Sequence, residues 1–303
     1  MEKFDSPEGR KGAETMFRVF TDYGANLPSE LVHGHGITVL PLRYELDGVA
    51  FADYDQATDT FDGEAYYAKM RAGAEVKTSM TNVGEFAEAF RPVLEAGEDV
   101  LYVGMSSGIS GTNHAACLAA AGLREEFPGR KIAVVDTRCA SLGEGIPVLR
   151  AAELREEGHS IEQTEKAVLE MCDHMCQYFT VADLRYLQKG GRISALTAKV
   201  GGVLNIKPIL QGNEEGRIVM NSKVRGERRA YDALAKIYDE LCSDRTARIG
   251  VAHADNPAGA EELIRRLREL GFTGEALTVC YEPVTGSHVG PGTVAFFFPG
   301  IHR

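Results

Sequence analysis

Short apolar runs, each followed by a turn rich in glycine, serine or aspartate and then by an amphipathic stretch, divide the first half of the chain into repeating units. The runs that predict buried strands are residues 17–20, 38–42, 100–105 and 132–135. Elements that alternate in this way predict an α/β fold in which helices cover both faces of a parallel sheet.

Two segments of this half have apolar residues at helical spacing. Those of the first segment are Val83, Phe86, Phe90 and Leu94. Those of the second segment are Ala115, Leu118, Ala119 and Leu123. Each set occupies one face of a predicted helix. Pro92 is expected to end or bend the first helix, because proline lacks the backbone N–H group.

The pattern changes beyond a helix predicted to begin at Ser160, where Ser160 and Gln163 form a capping-box pattern. From Tyr178 onward the strands are shorter, and two segments have clear helical spacing. Their apolar residues are Ala230, Leu234, Ile237 and Leu241, and then Leu263, Leu267 and Leu270. We predict a flexible leader at residues 1–15, an N-terminal three-layer α/β/α domain at 16–165 and a mixed α/β domain at 166–303.

The charge balance limits the classes of ligand. The chain has 303 residues, and its 44 acidic residues outnumber 33 lysines and arginines, so the formal net charge is −11. An acidic surface repels phosphates, which argues against nucleic-acid binding by general attraction. A bound anion must therefore be held by a few directed donors. No apolar run approaches the roughly 18 residues of a membrane span, and residues 1–15 lack the apolar core of a secretory signal.

The cysteines predict neither disulfides nor a metal site. They are Cys117, Cys139, Cys172, Cys176, Cys242 and Cys280. Free buried thiols in a reducing cytoplasm are the simplest interpretation for a chain of this size, so we expect a cytoplasmic protein. Cys172 and Cys176 would share a helical face, but no second pair of ligands lies at zinc spacing.

The first candidate for ligand chemistry is the turn SSGISGT at residues 106–112, between a predicted strand and a predicted helix. Free backbone N–H groups and the helix dipole favour an anion at such a turn. The hydroxyls of Ser107, Ser110 and Thr112 add donors, while Gly108 and Gly111 permit close approach. Turns of this composition also cap helices without any ligand, and the residues alone support both interpretations equally.

Two further segments present polar side chains. Thr78 precedes a predicted helix and, taken alone, is more typical of an N-cap than of a ligand. His288 lies in the glycine-rich turn GSHVGPG at residues 286–292, where a histidine titrates near neutral pH and can donate to a carboxylate. Without a partner visible in the sequence, a loop role and a binding role for His288 are equally supported.

Basic residues occur in two places of the second half. Arg192 follows two glycines, and a guanidinium there suits bidentate capture of a carboxylate or phosphate. The apolar and small residues after it can pack a core or line a cavity, and packing is the default expectation. A cluster also occurs at Lys223, Arg225, Arg228 and Arg229. It is typical of a solvated helix start, and docking to an acidic partner or a ligand phosphate is the alternative.

Four motifs together identify a resemblance that covers residues 17–297. They are SSGISGT at 106–112, YLQKGGRIS at 186–194, NIKPIL at 205–210 and HVGPG at 288–292. In this order they resemble the bacterial DegV family, the fatty-acid-binding proteins also called FakB. The resemblance implies a two-domain DegV-like α/β fold with one long-chain fatty acid bound between the domains. It implies a carrier with no metal, no cofactor and no chemistry of its own.

The resemblance also implies roles for individual residues. Thr78, Ser110 and His288 match the family's carboxylate-binding residues. The supporting anion-binding loop consists of Ser107, Gly108, Gly111 and Thr112. Arg192 and Arg225 are expected near the entrance or on the surface that faces a fatty acid kinase catalytic subunit. The carrier would present the carboxylate to that kinase for acyl-phosphate formation, and lipid exchange would require transient contact with a membrane surface.

The chain departs from the family pattern at three points. Tyr23 replaces the serine of the usual Thr-Asp-Ser, which removes a hydroxyl and is expected to alter the pocket rim or the lipid preference. Thr78-Ser79 is followed by Met80-Thr81 without the usual proline. Thr137 replaces the serine of the later Asp-Ser and keeps the hydroxyl.

A second hypothesis uses the same serine and histidine. Ser110 as nucleophile and His288 as base would make the protein an enzyme acting on a small acyl or phosphorylated substrate. No aspartate or glutamate lies in a recognisable triad motif. The carrier is therefore the favoured hypothesis.

Overall fold

A computed structural model describes residues 16–51, 61–194 and 205–303. The predicted leader at 1–15 lies outside the described residues. So do residues 195–204, the larger part of the apolar stretch from Ile193 to Ile206 that was expected to pack a core or line a cavity. The strands are β1 (Phe17–Asp22), β2 (Thr38–Leu40), β3 (Arg43–Leu46), β4 (Val49–Phe51), β5 (Val76–Ser79), β6 (Asp99–Gly104), β7 (Ile132–Asp136), β8 (Met175–Thr180), β9 (Ile206–Gly212), β10 (Ile218–Arg225), β11 (Ile249–His253), β12 (Ala276–Cys280) and β13 (Val294–Pro299).

The helices of the described residues are also numbered in chain order. They are α1 (Ser29–Gly34), α2 (Gly63–Arg71), α3 (Val83–Glu95), α4 (Thr112–Glu126), α5 (Leu142–Glu156), α6 (Ile161–Asp173), α7 (Arg185–Lys189), α8 (Glu227–Leu241), α9 (Pro257–Glu269) and α10 (Pro283–Val289). The predicted capping box at Ser160 is present at the start of α6.

The apolar runs of the first half form a parallel sheet, as predicted, with the strand order β2-β1-β6-β7. Alternate side chains of these strands enter different cores because successive residues face opposite sides of a sheet. Phe20 and Tyr102 pack with α3 and α4, and Val19 and Leu101 pack on the side of α5 and α6. Helices therefore cover both faces, which confirms the predicted α/β class.

The second half forms a mixed sheet with the order β10-β9-β8-β13-β11-β12. Its neighbouring strands are antiparallel except for the parallel pair β11 and β12. The apolar strand β13 lies inside this sheet, and Phe296, Phe297 and Phe298 are buried on its two faces. The prediction of a mixed α/β second half is confirmed.

A small antiparallel sheet with the order β4-β3-β5 carries part of the candidate site. Its register pairs Tyr44 with Thr78 and Glu45 with Lys77. Thr78 and Lys77 therefore face opposite sides of the sheet. The strand β5 is at the edge of this sheet, so one side of it remains open to other elements.

The helix α5 lies between the two large sheets. It contacts β1 and β6 on one side and β8, β11 and β13 on the other. Gly143 permits this packing, since a Cβ atom there would lie 2.6 Å from the Phe297 ring. A helix that is covered on all sides is buried along most of its length, and Arg150 is the one residue of α5 before Glu153 that is partly exposed. The boundary near residue 165 stays a prediction.

Three expectations from the residue pattern need correction. Leu118 was placed on the buried face of α4 but is 50% exposed, and Ala116 and Ala120 are buried instead. Cys117 is exposed, so the cysteines are not all buried. Pro92 does not end α3, which continues to Glu95, and the alternative expectation of a bend stays a prediction.

Candidate functional site

One cavity of about 420 Å³ is lined by side chains from both halves of the chain. Its apolar lining includes Leu42, Met105, Phe179, Leu187, Val284 and Val289. The polar residues Thr78, Ser110, Arg192 and His288 line the same cavity. The structure therefore brings together four residues that lie as far as 210 positions apart in the sequence. We call this space the acyl cavity, after the ligand that the sequence resemblance implies.

Thr78 and His288 are joined directly. The Thr78 Oγ1 atom lies 3.1 Å from His288 Nε2, at hydrogen-bond distance. Thr78 is on the edge strand β5, and His288 is in the last turn of α10. The segment around His288 is thus a short helix, whereas the glycines had predicted a turn.

Glycines fix the ring of His288. Gly290 ends α10 with φ of 79°, a left-handed conformation that glycine adopts at little cost. A Cβ atom at Gly190 would overlap His288 Nδ1, so the ring packs directly against the backbone of the Gly190-Gly191-Arg192 motif. Gly190 therefore seats the histidine, whereas a Cβ atom at Gly191 would meet no atom within 4 Å.

The charge state of His288 differs from the expectation of titration near neutral pH. Burial, with the nearby Arg192 charge, lowers the pKa of His288 to about 4. Both effects disfavour the imidazolium form. His288 is therefore neutral at physiological pH and acts as a hydrogen-bonding group without charge.

The loop after β6 presents Ser110 to the acyl cavity. Its Oγ atom lies 2.8 Å from Thr112 Oγ1, so the buried Thr112 orients the Ser110 hydroxyl. Met80, one residue before the position of the usual proline, packs over Gly111, where a Cβ atom would lie 2.6 Å from the thioether sulfur. Met80 itself lines the cavity and is 46% exposed.

The rest of the predicted anion-binding loop has other contacts. The Ser107 N–H donates to Asp136 at 3.2 Å, and the Gly108 N–H donates to Ser106 Oγ at 3.1 Å. A Cβ atom at Gly108 would overlap the backbone of Gly216, so this glycine seats the hairpin between β9 and β10. Ser107, Gly108 and Thr112 do not line the acyl cavity among its described residues. Their role in anion binding stays a prediction.

The two arginines lie in different places. Arg192 lines the acyl cavity, donates from Nε to the Ile109 carbonyl at 3.0 Å, and also donates to the Gly190 carbonyl. Burial lowers its pKa from the usual value. Arg225 is exposed at the end of β10, about 23 Å along that strand from Ile218, which lines the cavity.

Residue patterns alone missed several groups of the cavity. Gln177 and Thr285 line it and are buried, and Tyr281 forms part of its wall. Tyr23 packs behind the cavity with Met105 and Val284 rather than lining it. Of the motifs singled out in the sequence, only the glycine-rich segment around His288 lies close along the chain to Tyr281 and Thr285.

Buried carboxyl groups lie behind the cavity wall. Glu282 caps α10 by accepting the N–H groups of Val284 and of Thr285, the latter at 2.6 Å. Burial raises its pKa to about 7. Burial likewise raises the pKa values of Asp22 and Glu144.

The described residues contain no group of three histidine, cysteine, aspartate or glutamate side chains that could hold a metal ion. Cys172 and Cys176 are buried in separate cores. Among the helices of the described ranges, none is long and apolar enough to cross a membrane.

The Ser110 hydroxyl and the His288 imidazole each bond to a threonine. Ser110 bonds to Thr112, and the His288 Nε2 atom bonds to Thr78. A catalytic pair would instead join the serine hydroxyl to an imidazole nitrogen. The geometry thus favours binding over nucleophilic catalysis.

Comparison with known proteins agrees with the motifs. The family model described as uncharacterised protein, DegV family, matches residues 16–299. A DegV domain-containing protein of Clostridium perfringens is 35% identical over 285 residues, covering 94% of this chain and 97% of the relative.

Solved structures share the fold over nearly the whole chain. A DegV family protein from Thermus thermophilus, described by its fatty acid binding, has a TM-score of 0.83 and 33% identity, covering 94% of this chain and 100% of its own. DegV from Bacillus subtilis, described as a fatty acid binding protein, has a TM-score of 0.81 and 28% identity. The match covers 93% of this chain and 98% of its own. With the family model and the relative at this coverage, the chain belongs to the DegV family.

Proposed function

We propose that this protein binds one long-chain fatty acid, with its carboxylate on Thr78, Ser110 and His288 and its chain in the acyl cavity. The observation that carries the proposal is a largely apolar cavity that also contains those three polar groups. Hydroxyls and a neutral imidazole can bond a carboxylate without a metal. The fatty acid binding described for the neighbours from Thermus thermophilus and Bacillus subtilis supports this assignment.

The energetics favour a ligand with one polar end. Each buried CH₂ group contributes about 0.8 kcal/mol, so the acyl chain supplies most of the affinity. The carboxylate then fixes the orientation of the ligand. Arg192 adds the positive charge that a carboxylate needs, and within the described residues it has no ion-pair partner of its own.

The test is the lipid content of the purified protein. We expect denaturing extraction and mass spectrometry to yield a fatty acid in roughly one-to-one ratio with the protein, since each chain has one acyl cavity. The Thr78→Val variant should bind hexadecanoate about tenfold more weakly, because it leaves a carboxylate oxygen without its donor. Absence of any acyl species after supplementation with fatty acids would refute the proposal.

We further propose that the protein is a carrier in the cytoplasm, without catalytic activity, that presents the carboxylate to a fatty acid kinase and exchanges lipid at membrane surfaces. The motifs shared with FakB-type proteins support this role. The exposed Arg225 and Arg228 would then form part of the docking surface for the kinase. Reversing both charges should lower coupled kinase activity and leave the affinity for hexadecanoate unchanged. An equal fall in both would contradict the docking role.

A further inference from the structure

A polar side chain interrupts the apolar wall that the mixed sheet gives to the acyl cavity. Gln177 lies on β8, on the face of the sheet that packs against α5. Its neighbours on that face are Met175 and Phe179, which are apolar and buried. Gln177 is itself only 7% exposed and lines the cavity together with Phe179. A buried amide in such a row costs free energy unless its polar atoms are bonded.

One half of this amide has a partner within the protein. Gln177 Oε1 accepts the N–H of Ala140 at 3.1 Å. That bond fixes the orientation of the amide, because only its oxygen can accept from a backbone N–H. The two N–H groups on Nε2 donate to no group of the residues that the structure describes. The wall of the acyl cavity therefore contains an oriented amide with both of its donors unused.

The neighbours of Nε2 explain why its donors stay unused. The atom lies against Gly212, where a Cβ atom would be 3.1 Å from it. Arg303 also lies beside Gly212, but a guanidinium only donates, and its own N–H groups bond to three backbone carbonyls. Ile218, opposite Gly212 on β10, is apolar and lines the cavity. An acceptor for Nε2 can therefore come from a ligand in the cavity.

Gln177 lies well away from the groups proposed to bind the carboxylate. The strand β13 begins at Val294, opposite Thr180, and the end of α10 at Gly290 packs against Tyr186 of α7. The helix that carries His288 therefore lies beyond the Thr180 end of β8. Gln177 is three residues back along this strand, which is about 10 Å. A fatty acid with its carboxylate at His288 would thus bring the later part of its chain to Gln177.

We propose that Gln177 is a subsite for a hydroxyl group in the distal half of the acyl chain, so that hydroxylated long-chain fatty acids are among the ligands of this protein. The proposal rests on the proposed function, because it places the carboxylate on Thr78, Ser110 and His288. The Nε2 atom donates to the hydroxyl oxygen, and Oε1 has a second lone pair that accepts from the hydroxyl. Gln177 therefore bonds both the donor and the acceptor of a hydroxyl inside a largely apolar cavity.

The test compares octadecanoate with two derivatives that carry a hydroxyl on the tenth or the twelfth carbon. Affinities are measured by displacement of a fluorescent fatty acid at neutral pH. The wild type should bind at least one derivative as tightly as octadecanoate or more tightly. A cavity without a partner for the hydroxyl would bind both derivatives about tenfold more weakly than octadecanoate, because burying an unbonded hydroxyl is costly.

The Gln177→Met variant removes the amide and keeps a side chain of similar length. Its affinity for the preferred hydroxylated derivative should fall about tenfold, because the hydroxyl loses its partner. Its affinity for octadecanoate should rise, since no unused donor then faces an apolar chain.

The Gln211→Met variant is the matched control. Gln211 is on the neighbouring strand opposite Tyr178, so its side chain is on the other face of the sheet from Gln177 and outside the acyl cavity. This variant should change neither affinity.

The outcomes separate the subsite from the proposed function. Tight binding of octadecanoate by the wild type, with both derivatives about tenfold weaker, overturns the subsite and leaves fatty-acid binding intact. An unchanged ratio of the two affinities in Gln177→Met also overturns it, because Gln177 would then serve only the Ala140 N–H. If this variant does not fold, the wild-type comparison alone decides. If the wild type binds none of the three acids, the proposed function itself fails.

Discussion

The position of the His288 ring depends on the absence of a side chain at Gly190. A Cβ atom there would overlap Nδ1 of the ring, although the φ of −72° at Gly190 is one that alanine adopts freely. We expect Gly190→Ala to displace the ring, break the 3.1 Å contact with Thr78 and lower the affinity for hexadecanoate about tenfold. Displacement of a fluorescent fatty acid measures the change.

The matched control is Gly122→Ala. Gly122 lies inside α4, and a Cβ atom there would meet no atom within 4 Å. This variant should be more stable by about 0.5 to 1 kcal/mol, since alanine favours helices, and should bind hexadecanoate normally. Normal binding by Gly190→Ala as well would show that the ring does not depend on this contact.

Single residues were the hardest part to infer from the sequence. The sequence near Thr78 is typical of an N-cap, and the sequence near His288 fits either a loop or a binding site. Neither pattern indicates their contact, because the two residues are 210 positions apart. No local pattern encodes such a contact, and only the order of the four motifs indicated a common site. The lowered pKa of His288 depends on burial and on Arg192, both of which are tertiary effects.

At the scale of elements, α10 depends on its buried cap. Glu282 accepts N–H groups from Val284 and Thr285, and its own N–H donates to Asn26 Oδ1 at 2.7 Å. These bonds join the helix that carries His288 to the turn after β1. The titratable groups that interact electrostatically with Glu282 are Asp22, Tyr44, Tyr66, Tyr67, Glu144 and Tyr281.

The Glu282→Gln variant should change how stability depends on pH. Burial raises the pKa of Glu282 from 4.5 to about 7. The folded protein therefore binds this proton more tightly than the unfolded chain does. The protonated carboxyl group contributes stability below pH 4.5, and that stability is lost as the pH rises through 7. Glutamine keeps an acceptor but cannot ionise. We expect the stability of the variant relative to the wild type to rise by about 3 kcal/mol between pH 4.5 and pH 8.

Urea unfolding at several pH values measures this difference. The lowered pKa of His288 acts in the opposite direction over an overlapping range, but it is common to both proteins and cancels in the comparison. A difference that does not vary with pH would mean that Glu282 titrates normally. The Glu282→Asp variant, which retains a carboxylate cap, should keep the pH dependence.

Elements were predicted best where the pattern was strongly periodic. The strands of the parallel sheet and the helices α3, α6, α8 and α9 follow from apolar spacing and capping residues. The helix α10 was missed because Gly286 and Gly290 lower helix propensity. Glycine is needed at both positions because the backbone packs closely against a tyrosine ring. A Cβ atom would overlap Tyr67 at position 286 and Tyr186 at position 290.

For the whole molecule, the position of α5 decides how the halves unfold. One core contains Val103 of the parallel sheet, Leu142 of α5 and Phe297 of the mixed sheet. Each large sheet packs one face against α5, so solvent can reach that face only after α5 detaches from it. The predicted boundary near residue 165 therefore separates two sheets that share one buried helix.

Hydrogen exchange tests whether the shared helix makes unfolding a single event. We expect the backbone amides of Val103 in β6 and Phe297 in β13 to exchange with free energies equal within about 1 kcal/mol, because both require global opening. Gly143→Ala inserts a methyl group against the Phe297 ring and should lower both free energies by about 2 kcal/mol. If only the amide in β13 loses protection, the halves open independently and residue 165 marks a true boundary between cooperative units.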